Sequence, residues 1–306
     1  MHHTEDTTPY TPDYIYSDGY LRWDLGVGDG HPTNPRRALN TLRLIEASDL
    51  PVNVIAPRYA TEAELSLVHE AEYLADTLAG RNFEWHGIQP ALGSTAALMA
   101  GGTMLAVDRI LSGDTIRAFN PAGAKHHAHF DHGSGFCVFN DMAMAARRFT
   151  DEGLRVMYVD WDAHHGDGVE ALCADNPDVM TASIHNGMAF PGTGHRHYPK
   201  RDVWNWPLEP RATGDRLIEA VHEIVDIGYD FQPDIVLLAA GADGHRFDRM
   251  GGLGFTPEDV YLATRIVGMF ADDLCGGRIL AGGAGGYRWR DWTPAMWHAT
   301  FRALGE

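Results

Sequence analysis

Five short apolar runs in this chain alternate with longer segments that carry the spacing of amphipathic helices. Strands that alternate with helices in this way predict a parallel sheet that is covered by helices on both faces. A strand buried on both faces is apolar throughout, which is the pattern of these runs. The predicted strands are 116–119, 156–159, 179–184, 235–240 and 278–281, and the predicted helices are 35–47, 91–112, 140–150, 214–227 and 256–274.

The chain is predicted to form a single domain. Its 306 residues are 44% hydrophobic, which is enough for a large core, and they contain no repeat, no low-complexity tract and no linker-like change in composition. We therefore predict one catalytic domain over residues 1–306, with an α/β fold of three layers, α/β/α, around a mainly parallel central sheet. The last predicted helix also begins with a typical signal, Thr256 as the cap and Pro257 in the first turn.

Four polar, glycine-rich segments are predicted to be irregular loops: 11–35, 120–135, 186–207 and 241–254. Several of them follow predicted strands. In open α/β sheets the loops at the carboxyl ends of the strands form the binding site. We therefore expect the active site at that edge of the sheet.

The segment from Asp160 to Gly168 directly follows an apolar strand and contains three carboxylates and two imidazoles in nine residues. Alternate side chains of an extended chain point the same way, so Asp160, Asp162 and His164 are expected to converge if the extended geometry continues past the strand. Carboxylate and imidazole donors together suit zinc, iron or manganese. This segment therefore predicts a metal site.

Other loops supply the remaining parts of a metal-dependent hydrolase. Asp243 follows the most apolar strand and is a candidate third ligand, although an aspartate there can also be a turn residue. His126 and His127 follow another strand, and carboxylates such as Asp160 and Asp167 can fix the tautomers of such imidazoles. Tyr287 ends a glycine run that lets the backbone approach closely and leaves a phenol to polarise a carbonyl. The glycine run lacks the spacing and the Lys-Ser/Thr of a phosphate-binding loop.

The composition limits which cellular compartment and which kinds of partner can be expected. A formal charge of −18 disfavours non-specific nucleic-acid binding, and three scattered cysteines without CxxC spacing fit a reducing compartment. No stretch approaches 18 uninterrupted apolar residues, and residues 1–6 lack the pattern of a signal peptide. We therefore expect a cytoplasmic protein without membrane or nucleic-acid partners; an oligomer is possible but is not readable from these features.

These motifs resemble those of the zinc-dependent histone deacetylases of the arginase/deacetylase superfamily, and most closely the bacterial acetoin-utilisation deacetylases. The resemblance covers most of the chain. It rests on the following motifs: Tyr16-Ser17-Asp18, the segment 31–37, the His126-His127 pair, Ser134-Gly135-Phe136-Cys137 with Asn140-Asp141, the segment 160–168, the segment 190–194, Gly241-Ala242-Asp243 with Asp248-Arg249-Met250, and the glycine run before Tyr287.

The resemblance implies a role for each matching residue. Asp162, His164 and Asp243 would bind one zinc ion, and Tyr287 would bind the substrate carbonyl and its oxyanion. The other implied roles are an acid-base pair of His126 and His127 supported by Asp160 and Asp167, tunnel walls and rim from Gly135, Phe136, Phe190 and Met250, a potassium site of Asp160, Asp162, His164 and Ser183, and an internal cavity lined by Arg37.

The implied activity is hydrolysis of a linear amide, with removal of an acetyl or short acyl group from a lysine-like amine. Acetylpolyamines and acetylated small molecules or biosynthetic intermediates stay open as alternative substrates. A ureohydrolase with two manganese ions is less favoured, because 241–245 lacks a second Asp-x-Asp pair. A non-catalytic acyl-lysine binding module is also less favoured, since no ligand and no tyrosine is missing.

Two departures from the family pattern stand near the histidine pair. Lys125 takes a position that is usually apolar or aromatic, and Pro121 stands where a tryptophan is common. These two residues leave the shape of the tunnel rim open. Histidines, among them His129 and His132, replace a lysine-containing stretch after the pair, and we expect them to be exposed loop residues.

Overall fold

The computed structural model describes residues 10–26 and 31–306. Residues 1–6, on which the absence of a signal peptide was argued, and part of the predicted loop 11–35 lie outside the described residues. The described strands are β1 Asp13–Ile15, β2 Asn53–Ile55, β3 Arg117–Asn120, β4 Val156–Asp160, β5 Val179–Asn186, β6 Val203–Leu208, β7 Ile235–Ala239 and β8 Ile279–Gly282. The described α-helices are α1 Arg36–Ala47, α2 Glu62–Leu65, α3 Ala71–Leu78, α4 Pro90–Ser112, α5 Asp141–Asp151, α6 Asp167–Cys173, α7 Gly214–Phe231, α8 Pro257–Leu274 and α9 Trp292–Leu304.

The eight described strands form one sheet in the order β2-β1-β3-β8-β7-β4-β5-β6, and every described pairing is parallel. Helices α1, α7, α8 and α9 pack in series with one another, and α3, α4, α5 and α6 form a second series. These two series cover the sheet, so β3, β4, β5, β7 and β8 are buried along their whole length. The predicted three-layer α/β fold with a parallel sheet is confirmed.

Helices α8 and α4 show how local sequence sets the ends of a helix. Thr256 caps α8 by accepting a hydrogen bond from the backbone of Asp259, and the Asp259 carboxylate accepts one from the backbone of Thr256. Helix α4 ends at Gly113, whose φ of 79° places it in the left-handed region. The length and composition of α4 would also suit a membrane span, but 78% of its most apolar window is buried inside the protein. That burial is typical of a core helix.

Two of the predicted loops contain secondary structure. The predicted loop 186–207 was wrong in its last part, because Val203–Leu208 forms the edge strand β6. Pro207 argues against a strand when only the sequence is considered. An edge strand tolerates proline, however, because one side of its backbone needs no hydrogen-bond partner. The predicted loop 11–35 was wrong at Asp13–Ile15, which forms β1. The loops 120–135 and 241–254 are irregular as predicted.

Candidate metal centre and catalytic site

Four neighbouring strands in the middle of the sheet, β3, β8, β7 and β4, deliver the candidate site residues. Because all four are parallel, their carboxyl ends lie along one edge of the sheet, and the loop after each strand begins there. The residues that follow these strands are His126 and His127 after β3, Tyr287 after β8, Asp243 after β7, and Asp162 and His164 after β4. The predicted position of the site at the carboxyl ends follows from this topology.

Asp162, His164 and Asp243 form a buried cluster whose ligand atoms all lie within 4.8 Å of one another. The Nδ1 atom of His164 is 3.0 Å from Oδ1 of Asp162 and 3.0 Å from Oδ2 of Asp243. One imidazole N–H can serve only one of these oxygens. The hydrogen bond goes to Asp162, which leaves the buried Oδ2 of Asp243 without a hydrogen-bond partner among the described residues.

This cluster fits a divalent cation. An orphaned buried carboxylate oxygen is costly unless something positive occupies the space in front of it. Burial, and then the charge of Asp162, raises the pKa of Asp243 to about 7. Although burial lowers the pKa of His164, the carboxylates of Asp162 and Asp243 raise that pKa to about 11, so the two carboxylates draw positive charge to this position. A Cβ atom at Gly285 would collide with the carboxylates of Asp162 and Asp243, so glycine keeps this space open. One nitrogen and two oxygen donors form a ligand set that suits zinc, iron or manganese.

Asp160 does not join this cluster, so the expected convergence of Asp160, Asp162 and His164 was wrong for Asp160. Strand β4 ends at Asp160, and the alternation of its side chains therefore stops there. The Oδ2 atom of Asp160 lies 2.7 Å from Nδ1 of His126 and accepts a 2.6 Å hydrogen bond from Tyr158, while Oδ1 accepts one from the backbone of Asp162. Asp160 thus fixes the ring of His126, as the family resemblance implies.

His127 has a carboxylate partner of its own. Its Nδ1 is 2.6 Å from Oδ1 of Asp167, and the other oxygen of Asp167 is 3.1 Å from Nε2 of His129. The expectation that His129 is an exposed loop residue was therefore wrong, because its ring is turned inward onto Asp167. His132 stacks on His129 and is exposed, as expected.

The two imidazoles of the pair are adjacent, with ring centroids 4.0 Å apart, but they differ electrostatically. Burial would lower the pKa of His126, but the charges of Asp160 and Asp162 outweigh it and raise this pKa to about 9. Burial and the neighbouring His126 lower the pKa of His127 to about 4, despite Asp167. Two adjacent histidines with opposite pKa shifts are typical of a site that moves protons.

Tyr287 lines a cavity together with His126, His127 and Asp162. Its backbone N–H donates to the carboxylate of Asp248 at 2.8 Å, which anchors the residue that ends the glycine run. Burial, and then the charges of Asp243 and Asp162, raises the pKa of Tyr287 well above its ordinary value. The phenol is therefore protonated at neutral pH and available as a hydrogen-bond donor.

Three of the residues predicted to form the tunnel, Gly135, Phe136 and Phe190, lie beside His127 or Tyr287. The Phe190 ring is 5.1 Å from that of His127, and the Phe136 ring is 6.2 Å from that of Tyr287. A Cβ atom at Gly135 would collide with His127, so a side chain there would obstruct the ring. Phe190 is 50% exposed and Met250 is 42% exposed, so both present apolar surface to solvent.

Of the residues implied for a potassium site, Asp160 ends β4 and Ser183 lies within β5. Asp160 pairs with Ser183 in the sheet register, and the Ser183 hydroxyl is 2.9 Å from Nδ1 of His185. Asp162 and His164 follow Asp160 directly in the chain. The structure therefore places Asp160 and Ser183 side by side in the sheet.

Some supporting residues escaped the sequence argument. Glu84 accepts a 2.6 Å hydrogen bond from the backbone of Phe136, whose φ of 66° is unusual for a residue with a side chain. Asp141 accepts hydrogen bonds from the backbones of Ala124 and Lys125, and so holds the segment before the histidine pair. No local pattern signals Glu84, because its partner lies 52 positions away. Asp141 belongs to the motifs that carry the family resemblance, but the resemblance implies no role for it.

His69 supports the same loops and gives a prediction on pH. It is buried, its Nδ1 is 2.8 Å from the carbonyl oxygen of His129, and its Nε2 accepts from the backbone of Asn140 at 2.9 Å. These bonds suit a neutral ring, and burial lowers the pKa of His69 to about 4. Because the unfolded chain has the ordinary, higher pKa, it binds the proton first, and stability falls as the pH drops from about 6.5 towards 4.

We expect His69 alone to remove about 2 kcal/mol of unfolding free energy between pH 7.5 and pH 5. His69→Gln keeps one donor and one acceptor but does not titrate, so its stability is expected to fall less over this range. Urea denaturation of the wild type, His69→Gln and the exposed control His86→Gln at both pH values measures the difference. An equal loss of stability in all three proteins would contradict the prediction.

Comparison with known proteins gives consistent matches over nearly the whole chain. The histone deacetylase domain family matches residues 31–304. The acetoin utilization protein AcuC of Bacillus subtilis (strain 168) is 34% identical over 311 residues, covering 93% of this chain and 79% of that protein. AcuC of Staphylococcus aureus (strain MRSA252) is 33% identical over 318 residues, covering 95% and 81%. The crystal structure of the HDA15 HD domain matches with a TM-score of 0.83 at 26% identity, covering 96% of this chain and 91% of that one.

Proposed function

Because the chain belongs to the histone deacetylase family, we propose that it hydrolyses the amide of an N-acetylated or short-acylated amine of the lysine type and releases acetate or the corresponding acid. The observation that carries this proposal is the cluster of Asp162, His164 and Asp243, whose ligand atoms lie within 4.8 Å of one another. Its member Asp162 lines the same cavity as His127 and Tyr287. Metal ligands, proton carriers and an oxyanion donor are the three components that such a hydrolysis needs.

Asp162, His164 and Asp243 would hold one zinc ion per chain. A divalent cation bound there would polarise the amide carbonyl and increase the acidity of water. The orphaned oxygen of Asp243 and the space kept open by Gly285 support this assignment. We also propose a potassium ion held by Asp160, Asp162, His164 and Ser183, which the pairing of Asp160 with Ser183 in the sheet supports.

The histidine pair would carry the protons of the reaction. Water adds to the carbonyl carbon and gives its proton to the pair, the C–N bond breaks, and the departing amine takes a proton from the pair. The Nδ1 atom of each ring faces a carboxylate, Asp160 for His126 and Asp167 for His127, so the Nε2 atoms are left for proton transfer.

Tyr287 would stabilise the charge that develops on the carbonyl oxygen. Its phenol is held protonated and lines the same cavity as the histidine pair. A donor placed in a site with little water acts more strongly than it would in solution, and it acts mainly when the oxygen becomes negative. The apolar side chains of Phe136, Phe190 and Met250 suit contact with the alkyl chain that carries the amide.

The substrate class is tested by comparing kcat/KM of the zinc-loaded protein for acetyl-lysine peptides, free acetyl-lysine and acetylputrescine. Release of acetate from any of them supports the amidohydrolase, and their ratio separates a protein substrate from a polyamine. We expect the peptides and free acetyl-lysine to be hydrolysed, since the family match and the apolar rim favour a lysine side chain. If none of the three compounds is hydrolysed, the proposed substrate class is contradicted.

A further inference from the structure

The chain departs from the family pattern on both sides of the histidine pair. Lys125 and Pro121, which precede the pair, line a small internal cavity together with Arg37. His129 and His132, which follow the pair, replace a lysine-containing stretch. The side chain of His129 is 24% exposed and that of His132 is 57% exposed. Of these two histidines, His129 is therefore the one whose ring is turned into the protein.

His129 shares the carboxylate of Asp167 with His127. The Nδ1 atom of His127 is 2.6 Å from Oδ1 of that carboxylate, and the Nε2 atom of His129 is 3.1 Å from Oδ2. Burial raises the pKa of Asp167, but the hydrogen bonds from the two imidazoles outweigh it and hold this pKa well below its ordinary value. The carboxylate is therefore ionised and accepts at both oxygens, so each ring carries a hydrogen on the nitrogen that faces it.

The two carboxylates behind the histidine pair are anchored differently. Asp160 is anchored by two groups besides its imidazole partner, the hydroxyl of Tyr158 and the backbone N–H of Asp162. Asp167 has one such anchor for its carboxylate among the residues that the structure describes, and this anchor is the ring of His129. Without His129, the carboxylate of Asp167 would keep only the hydrogen bond to its catalytic partner.

A carboxylate that is held at one oxygen can still rotate. The last torsion of an aspartate side chain, χ2, has broad minima, so one hydrogen bond does not fix the plane of the carboxylate. A bond to the second oxygen fixes that plane. The side chain of Asp167 is 15% exposed, so water can compete for an oxygen that no protein group covers. The ring of His129 covers the second oxygen and so keeps the first one directed at His127.

The ring of His129 is held in place independently of Asp167. It stacks on the ring of His132, with the centroids 4.7 Å apart and the planes inclined by 12°. The backbone N–H of His129 donates to the carbonyl oxygen of His132 at 2.9 Å, and its own carbonyl oxygen lies 2.8 Å from Nδ1 of His69. A ring that is already fixed in this way loses little further conformational freedom when it binds a carboxylate, so it can serve as an anchor.

We propose that His129 is a positioning residue of the catalytic site, which acts through Asp167 on the ring of His127. This inference rests on the proposed function, in which His127 carries protons. The N–H of His129 fixes one oxygen of Asp167, and the other oxygen fixes the Nδ1 atom of His127. The Nε2 atom of His127 is then held in a constant position for proton transfer, so loss of His129 slows the chemical step more than it weakens substrate binding.

Steady-state kinetics of the zinc-loaded protein on an acetyl-lysine peptide test this role. His129→Phe keeps a ring for the stack and removes the donor, and it is expected to lower kcat about tenfold with KM nearly unchanged, as for other groups that orient a functional side chain. His129→Gln restores a donor and is expected to recover most of the lost kcat. His222→Phe is the matched control on the exposed surface of α7 and is expected to match the wild type. His129→Leu takes the place of His129→Phe if that variant does not fold.

Proton NMR of the zinc-loaded protein gives a second readout that needs no turnover. A short hydrogen bond from an imidazole to a carboxylate moves its N–H signal to low field and slows its exchange with water. We expect such a signal from Nδ1–H of His127, assigned by its loss in His127→Ala, in the wild type and in His129→Gln. In His129→Phe the signal is expected to move to higher field or to broaden. The signal of His126, which is bonded to Asp160, is expected to stay unchanged and serves as the internal control.

The inference is supported if His129→Phe loses kcat, His129→Gln recovers it and the low-field signal of His127 changes in the same order. Wild-type kcat and an unchanged signal in His129→Phe would overturn it. An equal loss of kcat in both variants would also overturn it, because the effect would then come from the packing of the ring and not from its donor. The two proposals can fail separately: a wild type that hydrolyses no amide would contradict the proposed function, and the NMR comparison would still decide whether His129 controls the bond between Asp167 and His127.

Discussion

Tyr287→Phe is expected to lower kcat by about 10² to 10³-fold, the usual cost of removing one oxyanion donor. The phenol lines the same cavity as His127 and Asp162 and is held protonated. Phenylalanine removes only its hydroxyl group. Because this bond strengthens as the carbonyl oxygen becomes negative, the loss is expected mainly in kcat, with little change in KM. Steady-state kinetics on an acetyl-lysine peptide measure both.

The control for this variant is Tyr59→Phe, which removes the same hydroxyl from an exposed tyrosine. Its kinetics are expected to match the wild type. Metal content is expected to be unchanged in both variants, because Tyr287 is not part of the ligand cluster. A Tyr287→Phe enzyme with wild-type kcat would remove the tyrosine from the proposed mechanism.

His127→Ala is expected to lower kcat by about 10² to 10⁴-fold, the range for loss of a positioned proton carrier. The Nδ1 atom of His127 is 2.6 Å from Oδ1 of Asp167, and its ring is 5.1 Å from that of Phe190. Alanine removes the proton carrier and leaves the carboxylate of Asp167 paired with His129. The change is measured as kcat on the same peptide, together with the metal content of the purified protein.

His222→Ala is the matched control, since His222 is an exposed histidine on α7. It is expected to retain wild-type kinetics. His127→Ala is expected to keep its metal, because the cluster of Asp162, His164 and Asp243 does not include it. Loss of metal along with activity would instead give His127 a structural role in the cluster.

The central strands were predictable from sequence because their burial leaves a local signal. Strands β4 and β7 are apolar along nearly their whole length, and the prediction placed both within one residue of their ends. The ends of the sheet carry no such signal. Strands β1 and β2 have three residues each, and β6 combines half-exposed tryptophans with Pro207. These segments form strands because they pair with a neighbouring strand, and that pairing is not visible in their local sequence.

The site residues were predictable for a related reason. Metal ligands and proton carriers belong to a few residue types, and they follow strands that are easily recognised. Their partners were harder to predict, because hydrogen bonds between distant segments leave no local pattern. The bond from Phe136 to Glu84 and the position of Lys125 beside Arg37 depend on loops that meet only in the folded chain. For the same reason, His129 could not be assigned to Asp167 from the sequence.

The most direct test of this account is the metal content of the protein after loading with zinc and removal of excess, measured by elemental analysis. The account predicts one zinc per chain in the wild type and less than a tenth of that in Asp243→Asn and His164→Ala, since each substitution removes a charge or a donor from a three-residue ligand set. Wild-type protein without zinc, or both variants with full occupancy, would contradict it.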